Sequence, residues 1–100
     1  MLGSKAGLKT MEITHNQKII VNGTVIYPDF TILLVSKRKV VYWEHRGMMD
    51  DADYARSAIA RTKDYSKSGF YLGDSLFITE ETSSTPLGTD EIQAIIAMLI

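Results

Sequence analysis

The apolar residues of this chain change their spacing along its length, and each change marks a different kind of element. Up to His45 they fall in short runs broken by turn residues. Met11 to His15 reads as a short first strand and Lys18 to Val21 as a β-branched one. Asn22-Gly23 follows; both residues tolerate the positive φ of a type I′ turn, so a hairpin is predicted, with Thr24 to Tyr27 running back. Pro28 has no amide hydrogen for a ladder, so an edge or an irregularity is expected there. Phe30 to Val35 continues the strand, and Ser36 to Lys39 makes the next turn. Val40 to His45 is a further strand. Its Val40-Val41-Tyr42-Trp43 run is apolar on both faces, as in a central strand covered on two sides.

After Gly47 the spacing lengthens to three and four. Tyr54, Ala55, Ala58, Ile59, Thr62 and Tyr65 form one helical stripe. Asp50 is the expected N-cap, with Asp51 and Asp53 near the positive end of the helix dipole. Ser68-Gly69 ends the helix. Ser75 to Glu80 is a fourth strand, and Glu81 to Gly88 is a loop rich in Ser, Thr, Pro and Gly. Thr89 caps a last helix with Ile92, Ile95, Ile96 and Leu99 on its apolar face. The order is strand, strand, strand, helix, strand, helix, which is mixed α/β.

With 100 residues, 45% of them hydrophobic and 23% charged, the chain makes one domain with a core of its own. Residues 1–10 are small, polar and glycine-containing and read as a flexible arm; residues 11–100 are the domain. Absence of cysteine excludes disulfides and thiolate metal sites. With no signal-peptide pattern and no run long enough for a membrane span, a cytoplasmic location is expected. The net charge of -1 gives no global sign of phosphate-backbone binding. Lys37-Arg38-Lys39 reads as a solvated turn.

Candidate chemistry centres on Asp29 and Glu44, which lie on two strands joined by a short turn. Cross-strand neighbours bring side chains to about 5 Å between Cβ atoms. Two carboxylates at that range repel unless a cation lies between them. Mg²⁺ suits such a pair, because it takes one or two protein carboxylates and fills its shell with water and substrate phosphate. Strand alternation sets Tyr42, Glu44 and Arg46 on one face and Trp43 and His45 on the other. Arg46 is then a cation placed to stabilise an attacked phosphate, and His45 a supporting or packing residue. The plainer alternatives are a Pro28-Asp29 turn and a Glu44–Arg46 surface ion pair. His15 and His45 show no metal-ligand spacing, Met48-Met49 reads as packing around the helix start, and Tyr54 and Tyr65 read as core.

Several runs together resemble the PD-(D/E)xK nuclease superfamily, the restriction endonuclease-like proteins, and within it an uncharacterised bacterial group. They are Tyr27-Pro28-Asp29-Phe30-Thr31-Ile32, Tyr42-Trp43-Glu44-His45, Gly47-Met48-Met49-Asp50-Asp51, Tyr54-Ala55, Tyr65, Gly69, Tyr71-Leu72-Gly73 and Leu76 through Thr82. The resemblance extends from about Ile19 to the C-terminus, and the stretch from Trp43 to Asp51 is its most specific part. It implies an α+β fold, a mixed four-stranded sheet flanked by helices, with the site where the second and third strands diverge. It also implies metal-dependent hydrolysis of phosphodiesters in DNA, with Asp29 and Glu44 holding Mg²⁺ or Mn²⁺. Two departures stand out. Arg46 occupies the position usually held by Lys, and it does not readily give up a proton; a relocated cation is then sought on the helix, at Arg61 or Lys63. The superfamily's N-terminal helix also has no counterpart in residues 1–10. A homodimer that covers the exposed sheet face is one consequence; a catalytically impaired nucleic-acid-binding or interaction module, or a fragment of a larger nuclease-like protein, are the alternatives.

Overall fold

The computed structural model describes residues 11–99; the arm, and with it the expected lack of an N-terminal helix, lies outside them. The elements are β1 (Met11–His15), β2 (Ile19–Val21), β3 (Thr24–Ile26), β4 (Phe30–Leu34), β5 (Lys39–Arg46), α1 (Ala52–Lys67), β6 (Leu76–Glu80) and α2 (Thr89–Leu99). Four strands form a mixed sheet in the order β1-β4-β5-β6. The first two junctions are antiparallel and β5–β6 is parallel. This is an α+β fold, a mixed four-stranded sheet with two helices.

Strand alternation on β5 builds two cores. Val41 and Trp43 point to one face, where Ile32, Leu34, Phe77 and Leu99 of α2 join them. On the opposite face Tyr42 packs with Tyr65 of α1, Leu76, Ile78 and the β2–β3 hairpin residues Val21 and Ile26. Each fully buried side chain of this size contributes about 1.5–3 kcal/mol. The double-sided apolar run of β5 therefore reports its central place, between β4 and β6.

Asn22 and Gly23 take φ of 50° and 77°, and Val21 pairs with Thr24 across the two-residue turn, as the hairpin motif predicts. The continuation of that strand through Pro28 does not occur. Thr24–Ile26 belongs to the separate two-stranded sheet, and Phe30–Leu34 to the main one. Pro28, fully buried and lacking an amide hydrogen, sits in the break. The fourth place in the main sheet goes to Met11–His15, paired from Met11↔Leu34 to His15↔Phe30.

Helix α1 starts one residue later than expected. Asp51, not Asp50, is the N-cap; its carboxylate accepts the amide of Tyr54 at 2.9 Å. Asp50 instead accepts from the amide and hydroxyl of Ser83, which ties the helix start to the loop after β6. Ser68 is the C-cap, followed by Gly69 at φ 90°. Two apolar positions face solvent against expectation: Ile59 on α1 and Ile96 on α2. Each lies at the flank of its stripe, beyond the reach of a four-stranded sheet. Met48 is also exposed rather than packed around the helix start.

Candidate functional site

Glu44 lies on the α1 face of β5 and is only 4% exposed. A buried carboxylate requires donors, and α1 supplies them. The Tyr65 phenol donates to Oε2 at 2.5 Å and Arg61 Nε donates to Oε1 at 3.0 Å. Arg61 and Tyr65 are four residues apart, so one helical face presents both. Burial, then the hydrogen bond and charge of Glu44, push the Tyr65 phenol far above its ordinary range. Of the two helix cations considered from sequence, Arg61 is the one that reaches the site.

Arg46 points to the same face, two residues along the strand. It is 3% exposed, and its Nη2 lies 3.9 Å from Glu44 Oε1, too far for a hydrogen bond. Its Nε and Nη2 are buried without a hydrogen-bond partner among the described residues. Burial lowers its pKa, with Glu44 opposing that change and Arg61 adding to it. The surface ion pair considered for Glu44 and Arg46 is therefore replaced by a cluster of one carboxylate and two guanidiniums. Of the two cations only Arg46 is buried; Arg61 is 37% exposed, and Glu80 also acts on Arg46 from β6.

Asp29 precedes β4 directly. Because Phe30 pairs with Trp43, continued register sets Asp29 beside the strand end that carries Glu44. Its Oδ2 accepts the backbone amide of His45 at 2.6 Å, so the carboxylate is fastened to the residue that separates Glu44 from Arg46. Oδ1 has no hydrogen bond among the described residues. Asp29 also lies at the rim of a cavity of about 760 Å³ on the α2 side of the sheet.

His45 faces that side, as alternation predicts, and is held at both nitrogens. Nε2 meets Glu81 Oε1 at 2.7 Å and Nδ1 meets Thr79 Oγ1 at 2.9 Å. A carboxylate only accepts, so Nε2 carries a hydrogen toward Glu81. Trp43 Nε1 donates to the same Thr79 oxygen at 3.2 Å. The hydrogen bond from His45, then that from the Leu87 amide, lowers the Glu81 pKa. His45 thus holds β5 to β6 and to the residue that follows it.

Sequence reasoning did not find the Tyr65 and Thr79 contacts. The signal for Tyr65 was its stripe: Ala58, Arg61 and Tyr65 repeat at three and four, so a charged residue stood on the buried face. Among the described residues no group of three or more His, Cys, Asp or Glu side chains is placed to hold a metal ion. Comparison of the chain with family models, with curated proteins and with solved structures finds no match. No helix among the described residues is long and apolar enough to cross a membrane.

Proposed function

We propose that this chain is a metal-dependent DNA endonuclease of the PD-(D/E)xK type, acting on a phosphodiester at Glu44, Arg46 and Asp29. One observation carries the reading: the guanidinium of Arg46 is buried beside Glu44 with two nitrogens lacking partners. A buried cation with unfilled donors costs stability. A phosphate oxygen pair matches the planar fork of Arg and would satisfy it.

Carboxylate oxygens are the donors that a hard divalent cation prefers. Asp29 keeps Oδ1 open, and each Glu44 oxygen accepts one hydrogen bond where an ionised carboxylate offers about two positions per oxygen. Asp29 and Glu44 would hold Mg²⁺ or Mn²⁺, with water and substrate phosphate filling the shell. Such an ion would supply a water of lowered pKa and charge neutralisation at the attacked phosphate. The chain's own contribution is positional. Tyr65 and Arg61 fix the Glu44 carboxylate, the His45 amide fixes Asp29, and Arg46 takes the non-bridging phosphate oxygens. The two guanidiniums disfavour a lone cation at Glu44, so metal and phosphate should enter with mutual support.

The test is cleavage of DNA in the presence of Mg²⁺ or Mn²⁺ by the folded protein and by Glu44→Ala. The reading expects cleavage that this substitution abolishes. Cleavage unaffected by it removes Glu44 from the reaction. A folded wild-type protein that binds DNA without cutting it would favour the impaired binding module instead.

A further inference from the structure

Arg46 lines a second cavity, of about 480 Å³, on the α1 face of the sheet beside β6. Thr62, Leu72 and Ile78 share its wall with Arg46, and Glu80, Thr85 and Glu91 complete it. Glu44, Arg61 and Asp29 do not line it, so the cavity reaches Arg46 from the β6 side, away from the proposed metal ligands. Among the described residues that line it, Arg46 is the one cation, and Glu80 and Glu91 are the two anions.

The two signs of charge differ in burial. Arg46 is 3% exposed, and its Nε and Nη2 have no hydrogen-bond partner among the described residues. Glu80 stands opposite Arg46 in the parallel β5–β6 register, and Glu91 lies in the first turn of α2; both are exposed. Glu80 acts on Arg46 by charge, yet no ion pair joins them among the described residues. Buried guanidinium nitrogens without partners call for an oxyanion. An oxyanion alone would also meet Glu80 and Glu91 as like charges. An ammonium on the same molecule turns that repulsion into attraction. Thr62 Oγ1 donates its hydrogen to the Ala58 carbonyl, which leaves the oxygen as an acceptor for an ammonium hydrogen. Leu72 and Ile78 offer apolar contact to the carbons between the two charges.

We propose that this cavity binds a small zwitterion: one compact oxyanion and one ammonium joined by a short carbon chain. The oxyanion takes Nε and Nη2 of Arg46, and the ammonium faces Glu80 and Glu91. The volume is that of a small-molecule site. Arg46 is the one residue shared with the proposed phosphodiester site, so the zwitterion and a DNA phosphate compete for that guanidinium. Binding of the zwitterion does not require that DNA be cut.

Calorimetric titration near neutral pH, without metal, uses two pairs of probes. O-phosphoethanolamine and β-alanine carry both charges; inorganic phosphate and propionate lack the ammonium. At least one zwitterion should bind about fivefold more tightly than its counterpart without the ammonium, the order of one partly exposed ion pair. The tighter of the two zwitterions names the oxyanion. Arg46→Met should abolish binding of both. Glu80→Gln combined with Glu91→Gln alters only exposed positions; it should keep the oxyanion bound and remove the fivefold preference. Circular dichroism establishes that each variant is folded. No binding of either zwitterion at millimolar concentration overturns the proposal. So does a preference that survives the two glutamine substitutions, or binding that survives Arg46→Met. None of these results bears on DNA cleavage at Glu44, which stands or falls on the Glu44→Ala comparison.

Discussion

The phenolic hydrogen of Tyr65 rests on Glu44 Oε2 at 2.5 Å, joining the last turns of α1 to the middle of the sheet. Both groups are buried, so neither has water as a substitute partner. The contact fixes the carboxylate on which the proposed chemistry depends.

Tyr65→Phe keeps the ring and removes that donor. It should destabilise the protein by about 1–3 kcal/mol, the cost of an unsatisfied buried acceptor. Urea unfolding with an unchanged m-value checks it. Loss of less than a few tenths would mean that Glu44 finds another donor.

Arg46→Met should do the opposite. It replaces a buried guanidinium lacking hydrogen bonds by an apolar chain of similar length. The variant should gain on the order of 1 kcal/mol in urea unfolding, since the desolvation cost of the charge disappears. The same variant should lose phosphate affinity. A group that lowers stability while serving a ligand is the pattern expected of a functional residue.

How much of this could be read from the sequence follows the physics of each element. The Asn22-Gly23 hairpin, the α1 stop at Ser68-Gly69 and the central β5 strand were legible because local chemistry alone specifies them. The placement of Met11–His15 beside β4 was not, because strand order is decided by long-range pairing rather than by any residue of the strand. Alternation on β5 correctly set Glu44 and Arg46 apart from Trp43 and His45. It could not reveal that Arg61 and Tyr65 close over Glu44, a contact set by how α1 packs. Nor could it show the cavity, which five separate segments from Ile13 to Ile92 enclose.

The helix start offers a local check. Asp51→Ala should cost about 1 kcal/mol through loss of the Tyr54 cap. Asp50→Ala should leave the helix intact and loosen only the loop at Ser83. Hydrogen exchange at the Tyr54 and Ser83 amides separates the two.

Glu81 sets the sign of one pH dependence. Its pKa in the folded chain lies below its ordinary value of 4.5, so the stability it contributes is complete above that pH. It is lost as the pH falls through the lower folded value, where protonation breaks the contact with His45. Thermal unfolding followed from pH 6 down to about pH 3 should show a fall in Tm that Glu81→Gln flattens. An identical pH profile in the variant would assign the acid loss to other carboxylates.

The proposed function requires Asp29 and Glu44 to share one divalent cation near a phosphate. Calorimetric titration of the folded protein with Mn²⁺, alone and with a non-cleavable phosphorothioate DNA, tests it most directly. One Mn²⁺ should bind per chain, more tightly when DNA is present, and be lost in both Asp29→Asn and Glu44→Gln. Absence of Mn²⁺ binding at millimolar metal in a folded, DNA-bound sample, or binding that survives both substitutions, would contradict it.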